Sequence, residues 1–207
     1  MFREMTNEIL NQFKVHPQKK RPLIVGIDGL SGAGKSTLVT QLERELKNKC
    51  IVSVIHIDDH IVESSKRYHT GYDEWYEYYY LQWNIEMITN DLFKKIHNRD
   101  KELTLPFYNK STDTNTFKKI KITPESIILI EGIFLLRKEW KKFYDYTLFL
   151  DCPREIRYER VLKRELVTGD SEERLNKYKK RYWLGEDYYL KTQHPRKEAS
   201  KIYNSFL

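Results

Sequence analysis

A chain of 207 residues with 40% hydrophobic and 32% charged residues is long enough for one domain, or one domain with a small lid, and too apolar to be disordered. Its mean hydropathy of -0.71 excludes an integral membrane protein. The 37 Lys and Arg exceed the 30 Asp and Glu to give +7, which fits a nucleic acid or a phosphorylated ligand equally well, so the placement of those charges has to decide.

In chain order, Phe2, Met5, Ile9 and Phe13 recur at helical spacing and predict an amphipathic helix over 1–16, ended by Pro17 and Pro22. Acidic and amide residues interrupt this segment where a secretory signal needs an unbroken apolar stretch, so export is not expected. Leu23 to Asp28 reads as a strand, Leu38 to Leu46 as a helix, and the β-branched run Ile51 to Ile57 as a second buried strand with Asp58 and Asp59 at its end. From about Glu74, the positions Leu81, Ile85, Ile88, Leu92 and Ile96 step by three or four and predict one long helix. Leu103 to Tyr108 and Phe117 to Ile122, split by a polar stretch, predict an excursion of two short extended segments.

Ser126 to Ile130 runs into Glu131 and Gly132, and Tyr146 to Leu150 runs into Asp151; both read as buried parallel strands. The densest apolar run, Ile127 to Leu136, is too short for a bilayer and carries Glu131 in its middle, so no membrane span is expected. Pro153 opens a helix to about Leu166 that Gly169 closes, and Asp170 with Glu173 resembles a capping box for a last helix through Leu175, Tyr178, Tyr182 and Tyr189. Strands alternating with helices predict a parallel sheet covered on both faces.

Basic residues crowd into Lys19–Arg21, Lys118–Lys121, Arg137–Lys142 and Arg154–Arg181. No single arm or nucleic-acid module holds them, so nucleic acid is not the expected partner. Cys50 and Cys152 are the only cysteines, with no CxxC pair. Neither a disulfide framework nor a structural zinc site is indicated, and the cytoplasm is the expected compartment.

One string carries chemistry by itself. Gly29, Leu30, Ser31, Gly32, Ala33, Gly34, Lys35 and Ser36 read GLSGAGKS, which matches G-x-x-x-x-G-K-[ST] between a predicted strand and a predicted helix. Triphosphate oxygens need many donors and little bulk, which glycine amides and a helix N-terminus supply. Lys35 is then placed for the β and γ phosphates, Ser36 for magnesium, and Thr37 for the α phosphate.

Four further groups are candidates, each with a plainer rival. Asp58 or Asp59 is placed to accept a proton from a substrate hydroxyl, or simply to shape a turn. Glu131 is placed to hold magnesium, or to pair with a lysine at a strand end. Arg157, Arg160 and Arg164 share one helix face, which points a cationic stripe at transferred charge or merely at solvent. Of the crowded aromatics, most are expected in packing, while Tyr68, Tyr72 and Tyr108 lie where a planar acceptor can stack.

With GIDGLSGAGKST over Gly26 to Thr37, HIDD after the second strand, IEG at Ile130 to Gly132, the Arg-rich helix and YWLGEDYYL over Tyr182 to Leu190, the chain resembles the uridine kinase and phosphoribulokinase group of P-loop kinases. The resemblance covers most of residues 23–191. It implies an α/β P-loop NTPase fold: a three-layer sandwich around a mainly parallel five-stranded sheet, one kinase domain over 1–207, and a small helical lid at about 154–170. It implies ATP and Mg2+ as cofactors, Asp58 as the catalytic aspartate, Glu131 as the second-strand acid and Arg160 as a lid arginine. A small-molecule hydroxyl acceptor and a homo-oligomer of unspecified number follow as partners.

The acceptor region departs from the uridine kinase pattern. Where those enzymes carry P-x-Y-D-F and a later His and Arg, this chain has Pro106, Tyr108, Asn109, Asp113 and Asn115. The departures argue against uridine and leave nicotinamide riboside, pantothenate and phosphoribulose open. A Ras-type switch lacks its N-K-x-D string and a transport ATPase its LSGGQ string. A nucleotide-binding regulator without turnover remains the rival, against which the presence of Lys35, Ser36, Asp58 and Glu131 counts.

Overall fold

The computed structural model describes residues 2–16, 19–165 and 175–205, the side chains of 164 and 165 excepted. The central sheet contains β1 (Leu23–Gly29), β2 (Ile51–His56), β5 (Ser126–Glu131), β6 (Tyr146–Asp151) and β7 (Lys201–Asn204). They lie in the order β2-β5-β1-β6-β7, and every pairing is parallel. The excursion is an antiparallel hairpin of β3 (Glu102–Asn109) and β4 (Thr114–Lys121), with Leu105 opposite Lys118.

Side chains alternate across a strand, so a strand covered on both faces feeds two cores. In β5, Ile127 and Leu129 enter one core, with α1 (Phe2–Val15) and α2 (Lys35–Lys47), while Ile128 and Ile130 enter the other. That second core gathers α3 (Glu74–Tyr80), the hairpin and α4, a helix through Ile85–Ile88, Thr89–Lys94 and Lys95–His97 with a π-helical middle. Further described helices are α5 (Arg154–Glu165), α6, a π-helical turn Tyr178–Trp183 continuing into Leu184–Gln193, and the single turn α7 (Pro195–Glu198). No described helix is long and apolar enough to cross a membrane.

Two expectations change here. The single helix predicted from Glu74 is two helices: the Asn84 side chain accepts the Met87 amide at 3.0 Å and starts a new N-terminus. Beside it, Trp83 turns inward and donates from Nε1 to the Ile57 carbonyl at 2.8 Å. The fifth strand is β7, a four-residue segment after the last helix that no sequence pattern marked. The Gly169 stop and the Asp170–Glu173 capping box lie outside the described residues.

The entry to β6 is pinned by one carboxylate. Asp145 accepts two bonds from Arg21 at 2.7 and 2.8 Å, one from Lys19 at 2.7 Å and one from the Ile24 amide at 2.9 Å. Burial works to raise its pKa, but Arg21, the Ile24 amide and Lys19 outweigh it and hold the carboxyl at about 2. A depressed carboxylate stabilises above its unfolded pKa of about 3.9 and loses that contribution as pH falls toward 2. Asp145→Asn is therefore expected to cost about 2 kcal/mol near neutrality, a melting decrease of about 4–8 °C that shrinks when both proteins are melted near pH 2.

Candidate active site

All five parallel strands present their C-terminal ends to one edge, where α/β proteins bind ligands. From β1 the chain turns through Leu30–Gly34 into α2, a helix of 13 residues, so the loop amides and the positive end of the helix dipole face the same space. The Gly32 backbone is left-handed at φ 78°, and a Cβ there would lie 2.6 Å from the Arg157 carbonyl. Only glycine lets the loop and α5 approach so closely. Lys35 is 8% exposed and donates from Nζ to the Leu30 carbonyl at 3.1 Å, which folds its ammonium back over the loop.

Ser31, Gly32, Gly34, Lys35, Ser36 and Thr37 line a cavity of about 330 Å³ together with Asp58, Glu131, Ile133 and Arg160. Asp58 lies in a 3-10 turn, Ile57–His60, directly after β2. Its carboxyl opens into the cavity while protein crowds it from behind. That crowding raises its pKa, Lys35 opposes the rise, and the charges of Glu131 and Asp59 add to it.

Glu131 ends β5 opposite His56 of β2 and Ile27 of β1. Its Oε1 accepts from Ser36 Oγ at 3.2 Å and lies 2.8 Å from His56 Nδ1, while its buried Oε2 has no partner among the described residues. Burial alone would raise this carboxyl; His56, Lys35 and Ser36 together bring it below the ordinary glutamate value. The partner of Glu131 is thus a histidine and a serine rather than the lysine of the plainer sequence reading.

A serine hydroxyl beside an ionised carboxylate with one free oxygen suits magnesium, which takes few protein ligands and fills its octahedron with water and phosphate oxygens. Among the described residues no cluster of three or more His, Cys, Asp or Glu forms a metal cage.

The three helix arginines separate. Arg160 leans on the loop, with Nη1 3.4 Å from the Ala33 carbonyl and Nη2 donating to the Ser205 carbonyl at 2.8 Å. It stands between the phosphate cavity and a second, mainly apolar cavity lined by Met5, Leu38, Leu150 and Tyr203, which the two share through Gly34 and Thr37. Arg157 is buried and gripped by Glu186 of α6, so it does not belong to a free cationic face. The Arg164 side chain lies outside the described residues.

The stacking candidates do not converge on the phosphate cavity. Tyr68 and Tyr72 line a separate cavity with His69, Glu74, Lys177 and Lys180. Guanidinium groups already cover the Tyr68 ring, Arg181 at 4.1 Å and Arg67 at 4.7 Å from its centroid. Tyr72 is 61% exposed and stacks on Tyr76 at 4.6 Å. Tyr108 and Asp59 line a fourth cavity with Lys110 and Lys118.

Two of the three residues that depart from the uridine kinase pattern, Asp113 and Asn115, dock the hairpin instead. Asp113 accepts from Tyr108 Oη and the Ser64 amide, each at 2.8 Å, and Asn115 donates to the Ile61 carbonyl at 3.2 Å.

His56 and Glu186 contribute to the site although neither was singled out from the sequence as a site residue. His56 stands one strand away from Glu131, and the amide that Glu186 binds is 155 positions earlier. The signal for Glu186 was a carboxylate amid aromatics in YWLGEDYYL; only the fold supplies its partner.

The model of the phosphoribulokinase / uridine kinase family matches residues 24–180. The uridine kinase of Borrelia duttonii is 29% identical over 150 residues, 69% of this chain and 67% of that protein. The uridine kinase of Streptococcus mutans is 27% identical over 154 residues, covering 72% and 70%. A solved structure described as a possible uridine kinase from Bacillus stearothermophilus is 40% identical, with a TM-score of 0.76 over 95% of this chain and 99% of that one.

Proposed function

This chain belongs to the phosphoribulokinase / uridine kinase family of P-loop kinases, and on that premise we propose that it transfers the γ-phosphoryl group of ATP to a hydroxyl of a nucleoside or similar small metabolite. The observation that carries the reading is the shared cavity: Asp58 faces the same space as Lys35, Ser36 and Glu131. A phosphate cradle alone would serve a switch or a regulator. A carboxylate open to the γ-phosphate side adds the base that a hydroxyl acceptor needs.

In the proposed reaction the loop amides and Lys35 hold the β and γ phosphates, while Ser36 and Glu131 are the residues that would hold magnesium, which would offset the charge of the phosphate oxygens. Asp58 orients the acceptor hydroxyl and takes its proton as the oxygen bonds to the γ phosphorus. The bond from that phosphorus to the β–γ bridging oxygen breaks, and ADP leaves. The apolar cavity beyond Arg160 is the place for the nucleotide base, with Met5 and Tyr203 as walls. Arg160, at the junction of the two cavities, is assigned to the nucleotide and the transferring charge. Tyr108 and Asp59, which share a cavity beside the turn that carries Asp58, are assigned to the acceptor side, and the engagement of Asp113 and Asn115 in hairpin docking favours an acceptor other than uridine.

The test is ADP release with magnesium and ATP against nucleosides, nicotinamide riboside, pantothenate and sugar phosphates. One acceptor is expected to stimulate release well above the acceptor-free rate. Tight ATP binding with no stimulation by any of them sinks the kinase reading in favour of a regulator.

A further inference from the structure

We propose that the buried pair Arg157–Glu186 is a clasp that fixes the Ser31 peptide and holds the phosphate loop in its nucleotide-binding shape before the nucleotide arrives. Both are positioning residues, and the inference rests on the nucleotide-binding part of the function proposed above. Glu186 is 0% exposed and accepts the Ser31 amide on Oε1 at 2.9 Å. Arg157 is 4% exposed and donates from Nη1 to the Ser31 carbonyl at 2.8 Å. The same Nη1 lies 3.1 and 3.0 Å from the two Glu186 oxygens, and Nε donates to the Cys152 carbonyl at 3.1 Å. One loop residue is therefore held by its donor and its acceptor at once, from two helices.

A second hold comes from the same face of α6, three residues on. The Tyr189 hydroxyl binds Asp28, which accepts the Gly29 amide at 2.7 Å and the Leu136 amide at 3.1 Å. Ser31 Oγ also lies 3.1 Å from the Tyr78 hydroxyl of α3. The start of the loop is thus tied at Gly29 and Ser31, while Gly34, Lys35 and Ser36 stay open to the cavity.

The energetics say what the clasp supplies. Desolvating two charges cancels most of their attraction, so a buried ion pair gives little net stability over an apolar pair of the same volume. Here the charges are spent on the two polar groups of one peptide residue, which an apolar pair would leave unmet. Geometry is what an apolar replacement loses.

The experiment separates geometry from stability by replacing the pair with apolar residues. Thermal melting and calorimetric titration with magnesium and a non-hydrolysable ATP analogue are compared in the wild type, in Glu186→Gln, and in the double variant Arg157→Met with Glu186→Leu. The double variant is expected to melt modestly below the wild type, because the two Ser31 groups go unmet, yet bind the analogue about tenfold or more weaker, a loss out of proportion to the change in melting. Glu186→Gln can still accept the Ser31 amide but leaves Arg157 unpaired; it is expected to melt lower than the double variant and to bind tighter than it.

A double variant that melts and binds like the wild type overturns the clasp, leaving the pair as packing alone. Should the double variant not fold, the neutral pair Arg157→Met with Glu186→Gln, which drops the bond to the Ser31 carbonyl without leaving a buried charge, takes its place, and unchanged analogue affinity there overturns the clasp equally. Failure of the wild type to bind the analogue is a different result, which removes the proposed function itself.

Discussion

Asp58→Asn is expected to lower turnover by a factor of about a hundred to ten thousand while leaving affinity for magnesium–ATP near the wild-type value. Asparagine keeps the size and can still accept a hydrogen bond from an acceptor hydroxyl, but it cannot take the proton. The position allows this separation because Asp58 stands in the turn after β2 and lines the cavity from an element other than the Gly29–Ser36 loop, to which phosphate binding is assigned. Its pKa is raised, first by crowding and then by Glu131 and Asp59 against the pull of Lys35, the direction that suits the base role proposed for it. The measurement is acceptor-stimulated ADP release beside a calorimetric titration of nucleotide. Wild-type turnover in the variant would remove Asp58 from the chemistry; lost nucleotide binding would assign it to the cradle instead.

What was legible in the sequence follows from where the chemistry lies along the chain. The phosphate loop needs adjacent amides, a lysine and a hydroxyl, so its signal is contiguous from Gly29 to Ser36. Asp58 and Glu131 are far apart in sequence, yet both follow apolar runs, and a parallel sheet brings such ends to one edge. Arg157 shows what spacing cannot tell. It shares a helix face with Arg160, as read, but its partner Glu186 lies on another helix and turns it inward.

Tyr68 teaches the same lesson. A loop position suggested an open ring, and Arg181, from a helix more than a hundred residues later, covers it. The break between α3 and α4 was hidden because Leu81 and Ile85 keep helical spacing across Asn84, whose side chain turns from helix surface to cap. In β7 the difficulty was length, since four residues carry too little alternation to mark a strand.

Lys35→Met is expected to produce the largest loss, with nucleotide affinity and turnover both falling by on the order of a hundredfold or more. Methionine keeps the apolar stem, so packing changes little, and what disappears is one ammonium at the centre of an acidic neighbourhood. Lys35 is the common cation acting on Asp28, Asp58, Glu131 and Glu186, lowering the pKa of each. Its removal therefore acts twice. The triphosphate loses a donor, and the carboxylates that remain repel it and one another more strongly, which raises Asp58 and Glu131.

Lys35→Arg separates charge from shape. The charge is kept, but the planar fork does not reproduce a compact ammonium 3.1 Å from the Leu30 carbonyl, so it is expected to recover part of the affinity and little of the turnover. The two variants are compared by calorimetric titration with magnesium–ATP and by ADP release. Wild-type affinity in Lys35→Met would show that the loop amides and magnesium bind the triphosphate unaided, and would move Lys35 from the cradle to the acidic cluster as its counter-ion alone.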